Sequence, residues 1–76
     1  MIFKNNIKNG SQKLTNTSGA LMYILIVDPD GVIVAQGSAV SATLNTPNNN
    51  TVWISDSIEE IKNKIIEECY TGGFDV

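Results

Sequence analysis

The sequence predicts a small α+β domain: an antiparallel sheet of three or four strands, built around a β-hairpin, with one C-terminal helix. Two observations support this fold class. Residues 20–27 form a continuous apolar run that leads through a turn into a second apolar segment, and residues 58–69 carry apolar side chains at helical spacing. A chain of 76 residues is enough for one core, so we expect a single domain over residues 1–76.

Residues 1–19 are mostly polar, with isolated apolar positions. Asn9-Gly10 is a strong hairpin signal, because both residues tolerate positive φ. One interpretation is a loose hairpin, in which residues 2–8 pair with residues 11–17. The other is a mobile arm that becomes ordered only on a partner. The sequence favours neither.

Residues 20–35 predict a β-hairpin turned at Asp28-Pro29-Asp30-Gly31. The apolar run before the turn is continuous, which is typical of a strand covered on both faces. Asp28 accepts backbone N–H bonds, and Gly31 provides the left-handed position after a type I turn. The segment lacks the further oxygen ligands and the distal Glu of an EF-hand calcium loop, so we interpret it as a turn only.

The remaining strand segments extend to residue 55. Gly37-Ser38 predicts a bulge or a bend, and small residues dominate the extended segment 39–44. Small side chains admit a close neighbour, either a subunit or ligand or the helix of this chain, and the sequence favours the helix. Residues 45–50 read as a loop, and residues 51–55 as a short strand with Trp53 on the face opposite Val52 and Ile54.

A helix is predicted over residues 57–70. A capping box begins it, formed by Asp56 with Glu59 or by Ser57 with Glu60. Apolar residues form one buried stripe, which makes the single cysteine a core thiol; the stripe is Ile58, Ile61, Ile65 and Cys69, with Ile66 beside it.

The predicted helix stops at Thr71-Gly72-Gly73, with glycine in the left-handed position after its last turn. Phe74 and Val76 follow in a short tail. We expect these two apolar side chains to fold back onto the sheet.

The composition limits the chemistry. The chain has no histidine and one cysteine, which excludes a disulfide within the chain, a zinc or copper ligand set and a Ser-His type of nucleophile. Five lysines, no arginine and a net charge of −3 argue against nucleic acid as the main partner. No apolar run is long enough to span a membrane, and no leader is visible. We therefore expect a non-enzymatic protein without cofactors, located in the cytoplasm (the host cytoplasm if it is encoded by a phage).

The apolar pattern also predicts self-association. A strand that is apolar on both faces needs two covering layers, and the sequence indicates only one helix. Trp53 is expected on the uncovered face. A partner subunit is the simplest second layer, so we predict a homo-oligomer, a dimer or larger.

Three functions fit these constraints. The first is an inhibitor of the kind that phages and mobile elements encode, which masks the surface of a protein partner. The second is an oligomer that sequesters a small ligand, a nucleotide or a metabolite. The third is a minor structural subunit of a virion or an appendage. The candidate binding residues are Tyr23, Trp53, Ser38, Thr43, Tyr70 and Phe74.

Overall fold

A computed structural model describes residues 2–7, 10–15, 18–46 and 49–75, and it arranges them in three layers. The small α+β fold with an antiparallel sheet and a C-terminal helix is confirmed. In chain order the elements are β1 (Ile2–Ile7), β2 (Gly10–Thr15), β3 (Met22–Val27), β4 (Ile33–Ala39), β5 (Ser41–Thr46), β6 (Asn50–Ser55) and α1 (Ile58–Glu68).

The central layer is a four-stranded antiparallel sheet in the order β1-β6-β3-β4. The β1–β6 ladder runs from Ile2↔Ser55 to Ile7↔Asn50. The same two chain segments then pair again as β2 and β5, from Gly10↔Thr46 to Thr15↔Ser41. We call the β2–β5 pair the ribbon. One face of the central sheet packs against α1 (the helix face), and the other packs against the ribbon (the ribbon face).

The hairpin at residues 20–35 is confirmed. A carboxylate oxygen of Asp28 accepts hydrogen bonds from the backbone N–H groups of Asp30 and Val32, both at 2.9 Å. The N–H of Gly31 donates to the carbonyl of Asp28 at 3.0 Å, and Gly31 has the left-handed φ of +82°. The turn therefore uses both its Asp and its Gly in the predicted roles.

The predicted hairpin between residues 2–8 and residues 11–17 is wrong. Residues 2–7 and 10–15 are strands, but they pair with β6 and β5 and not with each other. These described positions are part of the sheet and the ribbon. Asn9 of the predicted turn lies outside the described residues. The long-range pairing prevails over the local turn preference of Asn9-Gly10, because it supplies the second layer that covers β3.

The core on the helix face contains the largest buried side chains. Ile61 of α1 has no exposed area, and Phe74 of the tail is buried against the same cluster, which confirms that Phe74 folds back. Val76 lies outside the described residues. The buried members of the cluster are Leu25, Val27, Trp53, Ile61 and Phe74, and the partly buried ones include Ile58 and Ile65 of the predicted stripe.

The core on the ribbon face corrects the predicted orientation of β6. Val52 is fully buried there, with Ile54 partly buried, whereas Trp53 faces the helix. Trp53 pairs with Leu25 of β3, which places the indole in the core on the helix face. There the indole N–H donates a hydrogen bond to the hydroxyl of Tyr70.

The ribbon also corrects the expected packing over residues 39–44. Ala42 and Leu44 pack against the buried cluster of the ribbon face, so these residues cover the sheet themselves and the helix lies on the other side. The second layer assigned to a partner subunit is thus supplied by the chain. Both faces of β3 are therefore covered without a second subunit.

The irregularities of β4 and β5 differ from those expected. Gly37 and Ser38 pair regularly with β3, and the register shift lies instead between Ile26 and Val27, which leaves Val34 as the extra residue. The chain turns from β4 into β5 at Val40. The predicted loop is also shorter, since residues 45–46 and 50 belong to strands. Pro47 and Asn48 lie outside the described residues.

The predicted capping box at the helix start is wrong. Ser57 is the N-cap residue, but its side chain makes no capping bond. The hydroxyl of the buried Ser55 takes over that role: it accepts from the backbone N–H of Ser57 at 3.0 Å and donates to Glu60 at 2.7 Å. This contact ties the end of β6 to the first turn of α1.

The helix end also differs. Its last residue is Glu68, and the next residue, Cys69, has a left-handed φ of +57°. The sequence predicted a glycine in this left-handed position, at Gly72-Gly73. Cys69 is exposed and Ile66 is 75% exposed, so neither belongs to the core. Ending the helix early lets Tyr70 turn back to the sheet. Among the described residues, no helix is long and apolar enough to cross a membrane.

Candidate functional site

The four aromatic candidates meet in one place, between the central sheet and the helix. Tyr23 and Phe74 contact each other in a T-shaped arrangement, with ring centroids 6.3 Å apart and planes at 79°. The indole N–H of Trp53 donates a hydrogen bond to the hydroxyl oxygen of Tyr70 at 2.9 Å. These rings are therefore engaged with one another and with the core.

Two lysines lie over the Trp53 ring. The ammonium of Lys64, from the helix, is 4.5 Å from the ring centroid, and that of Lys4, from β1, is 5.7 Å away. Lys64 also donates a hydrogen bond to Glu67 at 3.0 Å, which raises the pKa of Lys64 above its usual value. Both contacts are cation–π geometry at the rim of the core.

Ser38 and Thr43 do not join the aromatic group. Ser38 is exposed on β4 and lines a groove, described below. Thr43 is exposed on the ribbon, opposite Lys13 of β2. The six candidate residues are thus split between an interior layer and two outer positions, and they do not form one site.

The described part of the chain contains no cluster of three metal-ligating side chains. The buried hydroxyl of Ser55 contacts Glu60 and the backbone of Ser57, as described above. These contacts fix the start of the helix. We assign this pair of side chains a structural role.

A groove lies between β4 and the ribbon, with a volume of about 210 Å³. Ile24 and Ile26 of β3 line it, and Ala42 and Leu44 of β5 line it from the ribbon side. On the β4 side the lining consists of small residues and one amide: Ala35, Gln36, Gly37, Ser38 and Ala39. The groove exists because the ribbon packs on β3 and β6, while β4 offers no large side chain to fill the space beside it.

Exposed valines continue this apolar surface along β4. Val32 and Val34 flank Ile33 in the chain, and the extra residue Val34 directly precedes Ala35, which lines the groove. The two valines are 40% and 52% exposed. We call the surface formed by Val32, Val34, Ala35, Ala39 and the groove the apolar strip.

None of the residues that form the apolar strip is charged. Between Asp30 and Asp56 the sequence has no charged residue, so β4, β5 and β6 are entirely uncharged. The charged side chains are confined to the N-terminal segment, the hairpin turn, the helix and the tail. This long charge gap is the signal that identifies the strip, and sequence reasoning missed it by assigning the small residues to helix packing.

Comparison of the chain with known protein families, with curated proteins and with solved structures finds no match.

Proposed function

We propose that this chain is a small non-catalytic binding protein, acting as an oligomer, that uses the apolar strip to mask a surface of another protein. One observation carries the proposal: exposed valines adjoin an open apolar groove, and none of the residues that form this surface is charged. Contiguous exposed apolar surface on a soluble protein commonly marks an interaction site.

The missing charge restricts the partner. A nucleic acid or a phosphorylated metabolite needs cationic groups to replace its counterions. The apolar strip offers none, and the chain as a whole is acidic with a net charge of −3. An uncharged, aliphatic patch of a protein meets no electrostatic penalty at this surface, and its burial is favoured by the hydrophobic effect.

The dimensions of the groove favour side chains over a whole ligand. Pockets for drug-sized molecules measure about 300–1,000 Å³, which is larger than this groove. At about 210 Å³ it suits an aliphatic side chain inserted from a partner. Tyr23 and Trp53, which a nucleotide-binding site would use for stacking, pack under the helix. Nothing in the geometry therefore favours the sequestering function over masking.

The absence of catalysis is proposed on composition. The chain has no histidine, and the hydroxyl of Ser55 is engaged in fixing the helix start. A small acidic chain of this kind fits an inhibitor encoded by a phage or a mobile element and acting in the cytoplasm. This part of the proposal rests on size and composition alone.

The test compares three forms of the protein as baits in lysate of the natural host: the unchanged chain, Val34→Lys and Ile66→Lys. Both substitutions place a lysine at an exposed apolar position, one on the strip and one on the helix. We expect a specific protein to bind the unchanged chain and Ile66→Lys but not Val34→Lys. That protein is then purified, and its dissociation constant should rise at least about tenfold with Val34→Lys, equivalent to about 1.4 kcal/mol.

Two results would overturn the proposal. One is that every captured protein, once purified, binds Val34→Lys as tightly as it binds the unchanged chain. The other is that the chain gains thermal stability from a nucleotide or a metabolite, to an extent that Trp53→Phe reduces and Val34→Lys does not, because only a ligand-binding function predicts that pattern.

A further inference from the structure

The two edges of the central sheet are β1 and β4, and they differ in how they are protected. An edge strand presents unpaired backbone N–H and C=O groups, which are a template for pairing with another chain. Proteins usually block such edges with bulges, prolines, projecting charges or covering segments.

The β4 edge is covered by the tail that follows the helix. Thr71 forms a parallel bridge with Val32, and its backbone bonds to Gly31 and Ile33 at 2.8 and 3.0 Å. Further along, the Gln36 amide donates to the carbonyl of Gly73 at 2.8 Å and accepts from the N–H of Asp75 at 2.9 Å. The extra residue Val34 adds a bulge to the same strand.

The β1 edge has none of these devices among the described residues. Its register with β6 is regular from Ile2 to Ile7, without a bulge or a proline. No described strand pairs with its outer side. Its single charged residue, Lys4, lies over the Trp53 ring on the helix face, and Phe3 is 56% exposed. Within the described part of the chain, the β1 edge is therefore open, and it carries an exposed aromatic residue.

We propose that a second copy of this chain docks at β1, with the two β1 strands antiparallel, so that the two central sheets become one eight-stranded sheet. A closed two-fold arrangement uses the same edge on both copies, which leaves the assembly finite. This docking deepens the proposed function by placing the contact of the oligomer at the β1 edge. The contact does not involve the apolar strip.

The charge on β1 selects the register. A two-fold axis perpendicular to the sheet keeps both helices on one face and places one residue of β1 opposite its own copy. With Lys4 on the axis, two ammonium groups would lie directly opposite each other, which is destabilising. With Asn5 on the axis, each Lys4 lies opposite the partner's Asn6. The register centred on Asn5 therefore avoids the repulsion and still pairs five residues of each strand.

Analytical ultracentrifugation over a concentration series tests the docking. We expect the unchanged chain to dimerise, and Phe3→Lys, which adds an edge charge at an exposed position, to raise the dimer dissociation constant at least about tenfold. Val34→Lys and Ile66→Lys are the matched controls and should leave dimerisation unchanged. Circular dichroism of each variant checks that it is folded.

A cysteine scan tests the register. Residues directly opposite in an antiparallel pair have Cβ atoms about 4.5–5.5 Å apart, close enough for mild oxidation to link them. In a Cys69→Ser background, Asn5→Cys should form a covalent dimer readily, and Lys4→Cys and Asn6→Cys much less. A monomer at high micromolar concentration overturns the inference. So does a dimer that Phe3→Lys leaves intact, or one that Val34→Lys disrupts. If the unchanged chain dimerises through β1 but captures no partner protein, the masking function fails and the docking at β1 stands.

Discussion

Trp53 and Tyr70 join the sheet to the end of the helix through a single hydrogen bond. The indole N–H of Trp53 donates to the hydroxyl oxygen of Tyr70 at 2.9 Å, and Trp53 is only 9% exposed. Tyr70 reaches this position because the chain reverses at Cys69, and its own N–H bonds back to the carbonyl of Ile65 at 3.0 Å. A buried donor is thus satisfied by a residue outside both regular elements.

Tyr70→Phe should destabilise the fold. It keeps the ring but leaves the buried indole N–H without an acceptor, which costs about 1–3 kcal/mol. Urea denaturation, monitored by tryptophan fluorescence, measures the free energy of unfolding. Tyr23→Phe is the control: it keeps the ring that contacts Phe74, and it should change stability by less than the Tyr70 variant. If both substitutions lower the free energy of unfolding equally, the hydrogen bond from Trp53 to Tyr70 does not contribute specifically to stability.

The parts of the fold that were predicted correctly depend on local signals. The Asp28 to Gly31 turn is encoded by four adjacent residues whose backbone preferences agree. The helix body was predicted from the periodicity of Ile58, Ile61 and Ile65, which pack on the sheet as that spacing requires.

The parts that were missed depend on long-range pairing. Residues 2–7 pair with residues 50–55, and residues 10–15 pair with residues 41–46. No local feature of these segments specifies the partner. Without the ribbon, β3 has an uncovered face, and a subunit seemed necessary to cover it. The candidate site was missed for the same reason: Ala42 and Leu44 become groove walls only when the ribbon is placed over β3. The charge gap that marks the surface was visible in the sequence.

Gln36→Leu should release the tail from the β4 edge. The substitution removes both amide hydrogen bonds, to Gly73 and to Asp75, each of which contributes about 0.5–1.5 kcal/mol. We expect faster hydrogen exchange at the Asp75 amide and a lower free energy of unfolding. Asn63→Leu, at an exposed position of the helix, is the control. If hydrogen exchange at the Asp75 amide is unchanged in Gln36→Leu, the two Gln36 hydrogen bonds do not hold the tail on β4.

Cys69→Gly should stabilise the protein. A non-glycine residue at a φ of +57° is strained by about 1–2 kcal/mol, and glycine relieves this at the cost of a more flexible unfolded chain. We expect a net gain of up to about 1 kcal/mol in urea denaturation under reducing conditions. Cys69→Val, a β-branched residue in the same position, should be destabilising. If the thiol were a core group, Cys69→Gly would leave a cavity and lower the stability instead.

Alkaline pH should weaken the contact between Lys64, Glu67 and Trp53. The hydrogen bond to Glu67 is the main cause of the raised pKa of Lys64, and burial opposes it. Because the folded state holds this proton more tightly than the unfolded state, the stabilisation is fully present below the unfolded pKa of Lys64. It is lost as the pH rises through the higher folded pKa.

The comparison of Lys64→Met with the unchanged chain isolates this effect from other groups that titrate at high pH. Lys64→Met cannot lose a proton, so its free energy of unfolding should fall less steeply between neutral and alkaline pH. Lys62→Met, an exposed position on the same helix, should retain the full slope. Urea midpoints at a series of pH values measure these slopes. If Lys64→Met is as sensitive to alkali as the unchanged chain, the ammonium over the Trp53 ring does not contribute to folding stability, because its removal by titration would then have no energetic consequence.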